Sequence, residues 1–168
     1  VFLGVLQTWT RHLRYHTHNH YLVPGGGLSH DQLRWLQVPN SQFLLCEPVL
    51  ALRFRTRLKR ALQQKDPHLF VRIPTKAWSQ PWVVDVLPVG RGEPVLKYLS
   101  AYIYKTAITS QRLVACDDTT VSFLYRDSAS RQWKFCHLSA ERFLHRFLQH
   151  ILPSGFQRVR YFGWLAPA

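Results

Sequence analysis

The sequence contains no methionine, only three cysteines, and nine acidic residues against 22 lysines and arginines in 168 residues. Without an initiating methionine, the chain is predicted to be a fragment or excised domain whose N-terminal neighbour is missing, and no signal peptide is visible. Cys46, Cys116 and Cys136 are far apart and form no CxxC pair. This argues against a disulfide framework or a zinc ribbon and favours a reducing compartment. No apolar run approaches the roughly 20 residues needed to cross a bilayer, so no membrane span is expected.

The shortage of acidic residues leaves a net charge of +13 on a chain that is 46% hydrophobic and 14% aromatic. This composition is globular, and the length predicts a single domain over residues 1–168. A compact domain with this charge repels itself, which favours a polyanionic ligand, with nucleic acid as the leading candidate. An anionic membrane surface is a weaker candidate because the basic residues are spread along the chain. The third alternative is a basic protein without such a ligand.

Predicted hairpins alternate with predicted helices along the chain, which indicates an α+β fold with a mainly antiparallel central sheet and flanking helices. The opening stretch Val1–Arg14 has apolar residues at helical spacing. Ser139 is expected to cap a helix. The predicted strands are Tyr15–Val23, Trp82–Val89, Leu113–Cys116, Val121–Arg126, Trp133–Leu138 and Phe156–Trp164, and the predicted helices are Val49–Gln64, Glu93–Ile108 and Ala140–Leu152.

Three histidines, His16, His18 and His20, are spaced by two in the first predicted strand. Alternate residues of a strand point to the same face, about 6.6 Å apart. Three imidazoles on one face can converge on a divalent cation, since each neutral ring supplies one nitrogen. The alternative is that they are solvated surface residues. The spacing alone leaves zinc, manganese and magnesium open.

Two other features are candidates for contact with nucleic acid. Directly after Pro24, a tight turn that includes Gly25 and Gly26 would leave room for a phosphate backbone. The predicted helix Val49–Gln64 is amphipathic and rich in cations, which suit a groove for a nucleic-acid strand. The alternative is a solvated helix face. The cations of this helix are Arg53, Arg55, Arg57, Lys59 and Arg60.

A pair of tyrosines lies in the predicted helix Glu93–Ile108. Tyr98 and Tyr102 differ by only about 40° around the helix axis, and Lys105 falls on the same face. A phenol is a weak nucleophile at its free pKa near 10, and a nearby ammonium or metal ion makes attack on phosphorus plausible by stabilising the phenolate. The alternative is an ordinary tyrosine pair that packs the helix on the sheet.

The order of these motifs resembles the rolling-circle transposases of bacterial insertion sequences, which belong to the His-hydrophobic-His endonuclease superfamily and use two tyrosines. The resemblance covers nearly the whole chain. It rests on Leu6-Gln7-Thr8-Trp9, His16-Thr17-His18-Asn19-His20, Val23-Pro24-Gly25-Gly26-Gly27-Leu28-Ser29, Tyr98-Leu99-Ser100-Ala101-Tyr102 and Leu152-Pro153-Ser154-Gly155-Phe156.

The resemblance implies a mechanism. His18 and His20 would hold Mg²⁺ or Mn²⁺, with His16 also on the required face, and Tyr98 or Tyr102 would attack a phosphate of single-stranded DNA. The product would be a 5′-phosphotyrosine bond and a free 3′-hydroxyl, formed at transposon ends and target DNA in the bacterial cytoplasm, in association with the nucleoid. The resemblance implies a further metal ligand from elsewhere, for which Glu93, Asp85 and Gln111 are candidates.

The sequence departs from the family pattern in several places. Asn19 stands where an apolar residue is usual and would point to the opposite face of the strand, towards packing. Thr17 replaces a common proline, and Ala101 replaces an arginine. The zinc-binding N-terminal region of such transposases is absent, which predicts a truncated copy. Two alternatives follow: an inactive relic that binds single-stranded nucleic acid, and a zinc hydrolase, which lacks an HExxH motif.

Overall fold

The computed structural model describes residues 2–40, 42–163 and 166, and describes the backbone but not the side chains of residues 96, 99 and 102. Its contacts divide the chain into two compact units, Val1–Pro24 with Arg91–Ala168, and Gly25–Gly90. The α+β class with antiparallel pairing is confirmed. The elements are β1 Phe2–Trp9, β2 Tyr15–Leu22, β3 Gly26–Leu28, β4 Trp35–Gln37, α1 Glu47–Lys65, α2 Pro67–Arg72, α3 Thr75–Ser79, α4 Glu93–Ile103, β5 Leu113–Cys116, β6 Thr120–Arg126, β7 Trp133–Ser139, α5 Ala140–Leu148 and β8 Val159–Phe162.

The first unit contains a three-stranded antiparallel sheet in the order β2-β1-β8. The central strand, β1, is buried on both faces, which explains its nearly continuous apolar run. The helical spacing of Leu6, Trp9 and Leu13 is therefore coincidental, since Trp9 ends the strand and Leu13 lies in the connection to β2 with a left-handed φ of 58°. The prediction of strand β2 is confirmed.

A second three-stranded sheet, in the order β5-β6-β7, carries the main core of this unit. Its hairpin turn is organised by the Asp117 carboxylate, which accepts hydrogen bonds from the Thr119 and Thr120 backbone N–H groups at 2.8 and 2.7 Å. These hydrogen bonds hold the pKa of Asp117 well below its ordinary value. Ser139 caps α5 through Arg142 N, as predicted. The buried core cluster consists of Trp9, Leu13, Ala107, Phe123 and Leu138.

In its described residues, the second unit contains a short hairpin, β3 with β4, and the helices α1, α2 and α3. The glycine triplet supplies part of strand β3, so the expected tight turn directly after Pro24 is wrong. Gly26 is required there because a Cβ atom would lie 2.8 Å from the Trp35 indole nitrogen. The strand predicted over Trp82–Val89 is also wrong, because this segment has no regular structure. Side-chain contacts hold it instead: Val86 N donates to Glu47 Oε1 at 2.7 Å.

No helix within the described residues is both long and apolar enough to span a membrane.

Candidate active site

The histidines of β2 form a row of adjacent rings on the sheet β2-β1-β8. The ring centroids of His16 and His18 are 5.3 Å apart, and those of His18 and His20 are 5.0 Å apart. Across the sheet, His18 is opposite Gln7 and His20 is opposite Val5, so His18 and His20 share one face. The pairing register shifts between Gln7 and Trp9. This shift lies beyond the pairs that contain His18 and His20. These two histidines, which the resemblance assigns to the metal, thus show the alternation predicted from the spacing of two.

The hydrogen bonding of His18 leaves one ring nitrogen available as a ligand. His18 Nδ1 lies 2.9 Å from the backbone oxygen of His16. Because a carbonyl oxygen only accepts hydrogen bonds, Nδ1 carries the proton in this contact, and the lone pair of the neutral ring is on Nε2. A metal-binding histidine is usually oriented by such a contact from its other ring nitrogen.

His20 is held in its neutral form at neutral pH. Partial burial, the neighbouring His18 ring and the positive charge of Lys105 lower the pKa of His20 to about 4. An imidazole must be neutral to bind a metal ion, so this environment favours a ligand role. The influence of Lys105 also shows that the residue just beyond α4 lies within electrostatic range of the histidine row.

The described residues fit a divalent ion as a partial ligand set. No three His, Cys, Asp or Glu side chains in the described part of the chain are grouped so that they could hold a metal ion. Two candidates for the further ligand are exposed acids: the Glu93 carboxylate lies 3.8 Å from the Lys97 ammonium, and Asp85 belongs to the second unit. Their participation stays a prediction. Gln111 is exposed in a 3-10 turn. The participation of His16 stays a prediction.

Gln7 is a candidate site residue to which sequence reasoning gave no role. Its side chain is 2% exposed, lies opposite His18 on the same face, and its Nε2 has no hydrogen-bond partner among the described residues. A buried amide in that condition is uncommon, and a role in the reaction is one of the physical reasons for it. The signal that could have found Gln7 is its position in a buried strand that pairs with the histidine strand.

The tyrosine helix α4 ends at Ile103, earlier than predicted, and the arginine just before β8 binds its C-terminal end. Arg158 donates hydrogen bonds to the backbone oxygens of Ile103 and, at 3.1 Å, of Lys105. These contacts satisfy carbonyl groups that a helix end leaves without partners. Tyr98 is half-buried on α4, and the side chain of Tyr102 lies outside the described residues.

Lys105 belongs to a group of like charges. Partial burial and the charges of Arg11 and Arg112 lower the pKa of Lys105. Arg112 is fixed in place, since it donates to the backbone oxygens of Arg11 and Leu124, each at 2.7 Å. Cations held together in this way repel one another, and an anion such as a phosphate group would relieve that repulsion.

The basic helix α1 lies in the second unit and has cations on two sides of its apolar stripe. Arg53, Arg57 and Arg60 are exposed and fall within about 60° of one another around the helix axis; they are called the arginine stripe below. Lys59 is exposed on another side, while Arg55 donates to the backbone oxygen of Gln80 at 2.9 Å. Among the described contacts, Arg55 is thus the cation of this helix with an observed structural role, and the arginine stripe remains exposed for contact with DNA.

Comparison with known proteins agrees with the resemblance in that it identifies transposases. The family model described as "Putative transposase" matches residues 2–168. The chain is 34% identical to "Putative transposase y4qJ" of Sinorhizobium fredii, with 98% of this chain and 46% of that protein covered. It is 29% identical to "Transposase for insertion sequence element IS801" of Pseudomonas savastanoi pv. phaseolicola, with 97% of this chain and 42% of that protein covered. The chain thus spans less than half the length of these relatives, and no solved structure matches it. By the extent of the family match, the chain belongs to this family of transposases.

Proposed function

We propose that the chain is the part of a rolling-circle transposase that cleaves single-stranded DNA and transfers the strand through a 5′-phosphotyrosine intermediate. The substrates are transposon ends and target DNA in the bacterial cytoplasm. His18 and His20 would hold Mg²⁺ or Mn²⁺, and the nucleophile is Tyr98 or Tyr102. The arginine stripe, with Gly25 and Gly26, is proposed to contact the DNA backbone.

The proposed step exchanges one phosphate ester for another. The phenolic oxygen of Tyr98 or Tyr102 forms a bond to phosphorus while the bond from phosphorus to the 3′-oxygen breaks. The phenol loses its proton, and the departing 3′-oxygen gains one and becomes a hydroxyl group. A bound divalent ion would supply charge stabilisation at the scissile phosphate. The second tyrosine permits a second cleavage while the first ester persists.

The observation that carries the proposal is the state of the two histidines. His18 presents Nε2 because its Nδ1 donates to a backbone oxygen, and His20 is neutral because its surroundings lower its pKa to about 4. Both rings are on one face with centroids 5.0 Å apart. Lys105, at the end of the tyrosine helix, acts electrostatically on His20, which supports a common location for the cation cluster and the histidine row.

The proposal is tested by trapping the covalent intermediate. The purified chain is incubated with Mn²⁺ and single-stranded oligonucleotides that carry a hairpin, random flanks and a 3′-terminal label. A labelled adduct that survives SDS is expected, and it should be lost when Tyr98→Phe and Tyr102→Phe are combined. Tyr104→Phe is the matched control, because Tyr104 is 81% exposed just beyond α4. An adduct that persists in the double variant contradicts the tyrosine assignment.

Lys105 is proposed to stabilise the phenolate or to contact the phosphate. Lys105→Ala should then slow adduct formation and shift the pH at which it is half-maximal. Unchanged cleavage with an unchanged pH profile removes Lys105 from the mechanism. Salt-dependent DNA binding without any adduct would instead identify an inactive relic that binds single-stranded nucleic acid.

A further inference from the structure

The sheet β2-β1-β8 has a second face, which the proposed reaction does not use. Neighbouring residues of a strand alternate between faces, and residues paired across strands share one. Leu6 pairs with Asn19, and Gly4 pairs with both Tyr21 and Arg160. Asn19, Tyr21 and Arg160 are therefore on the face opposite His18 and His20. Asn19 is also the residue that departs from the apolar family pattern.

A cleft of about 310 Å³ lies on this second face. We call it the Asn19 cleft; its lining includes Asn19, Tyr21, Phe156, Arg160 and Phe162. Its volume is at the lower end of the range of about 300–1,000 Å³ that is typical of ligand pockets. Asn19 is exposed here and is not a packing residue, so the polar substitution faces an open site.

The cleft depends on a glycine beneath its aromatic side chains. A Cβ atom on Gly4 would lie 2.8 Å from Tyr21 Cε1 and 3.4 Å from Phe162 Cε2, so any other residue would displace the Tyr21 ring. The Tyr21 ring is supported by an edge contact from Phe2, with centroids 6.0 Å apart. Tyr21 nevertheless remains 47% exposed, and Phe156 remains 42% exposed. The site thus keeps two aromatic rings accessible from solvent.

The charge of the cleft is positive. The Arg160 guanidinium lies over the Phe156 ring, 5.7 Å from its centroid, and its Nε donates to Gln157 O at 3.4 Å. No acidic residue is among those that line the cleft in the described structure. Exposed aromatic rings beside an arginine are the combination that binds unpaired bases and their phosphates. A carboxamide adds a donor and an acceptor that can pair with a base edge.

We propose that the Asn19 cleft binds one unpaired nucleotide of single-stranded DNA. The base stacks on Tyr21 or Phe156, Asn19 pairs with the edge of the base, and Arg160 contacts the phosphate. A carboxamide pairs well with N6 and N7 of adenine, so adenine is the expected preference. The inference rests on the proposed function only in that its ligand is the same single-stranded DNA, and it requires neither cleavage nor a metal ion.

Binding is measured by fluorescence anisotropy with labelled oligo-dA and oligo-dT of equal length, in EDTA and at constant salt. Tyr21→Leu should weaken binding about tenfold, because it removes a stacking surface. The matched control is Phe135→Leu: Phe135 is similarly exposed, at 58%, but lies on β7 in the other three-stranded sheet. The control should change affinity less than about twofold. Equal effects of the two substitutions would overturn the proposal.

Two further variants separate base recognition from charge. Asn19→Leu should retain the fold, checked by urea denaturation, and abolish the preference for oligo-dA; a preserved preference refutes the role of Asn19. Arg160→Gln and Arg142→Gln each remove one positive charge, so both change the net charge equally. Arg160→Gln should weaken DNA binding more than Arg142→Gln does, because only Arg160 lines the cleft. If Tyr21→Leu dissociates a dimer and leaves DNA affinity unchanged, the cleft is an interface between copies and the proposal is wrong. These readouts stay interpretable even if no covalent adduct forms.

Discussion

Replacing Gln7 with methionine is expected to stabilise the protein and to impair its reaction. Gln7 is 2% exposed in the middle of β1, and its Nε2 has no hydrogen-bond partner among the described residues. A buried donor without a partner costs about 1–3 kcal/mol. Methionine has nearly the same length and no polar hydrogen, so Gln7→Met removes this cost and retains most of the packing.

The expected gain in the free energy of unfolding is about 1–2 kcal/mol, because methionine does not reproduce the shape of the amide perfectly. For a chain of this size, each kilocalorie corresponds to roughly 2–4 °C in the melting temperature. Urea denaturation and thermal melting, both followed by circular dichroism, measure the change. In the adduct assay, Gln7→Met should lower the yield, since the amide shares a face with His18.

The neighbouring residue Thr8 supplies a matched control. Thr8 is 4% exposed, and its hydroxyl lies 3.2 Å from His150 Nδ1. His150 Nε2 lies 3.2 Å from Leu13 O and donates to it, so Nδ1 accepts from the Thr8 hydroxyl. Thr8→Val should therefore destabilise the protein by about 1 kcal/mol. If Gln7→Met destabilises it by a similar amount, the Gln7 amide has a partner in solution and the reasoning fails.

Three further predictions concern the metal, pH and DNA. His18→Ala should weaken Mn²⁺ binding about tenfold or more in titration calorimetry, whereas His68→Ala, on α2, should not; equal affinities would exclude His18 as a ligand. Acidification from pH 7 to pH 5 should lower the free energy of unfolding, because the folded pKa values of His20 and His150 are below the ordinary 6.5. Below pH 6.5 the unfolded chain binds more protons than the folded chain. The contribution of these two histidines to the free energy of unfolding is therefore complete above about pH 6.5 and is lost towards the folded pKa, which is about 4 for His20. Denaturation curves that coincide at pH 7 and pH 5 would contradict this prediction. Neutralising the three residues of the arginine stripe with glutamine should reduce the slope of log affinity against log salt by about 2, and an unchanged slope would place the DNA elsewhere.

Local patterns predicted those elements whose cause is local. The alternation in β2 and the Ser139 cap of α5 depend on neighbouring residues, and both are confirmed. The segment Trp82–Val89 has the apolar, β-branched composition of a strand but pairs with no strand in the described structure. Its backbone and side chains bond to helices of the second unit instead, as Trp82 Nε1 does to Ala77 O at 3.0 Å. A strand requires a partner, and residue pattern alone does not supply one.

The end of α4 shows the same limit. Apolar periodicity extended the predicted helix to Ile108, but Arg158 binds the carbonyl groups at Ile103 and Lys105. That contact joins residues more than fifty positions apart, so no window along the chain reveals it. It holds Lys105 at the end of the helix, where its charge acts on His20.

The sequence alone determined the excess of positive charge, the spacing of the histidines and the two tyrosines. The transposase was indicated by the resemblance of the ordered motifs to a known family, and the family match supports it. Strand alternation is an intrinsic property of the backbone, which is why the shared face of His18 and His20 was predictable. Only the tertiary structure decided that Gln7 lies opposite His18 and that Asn19 faces a cleft with Arg160. Cross-strand register decides these pairings, and that register depends on how separate strands bury their apolar faces together.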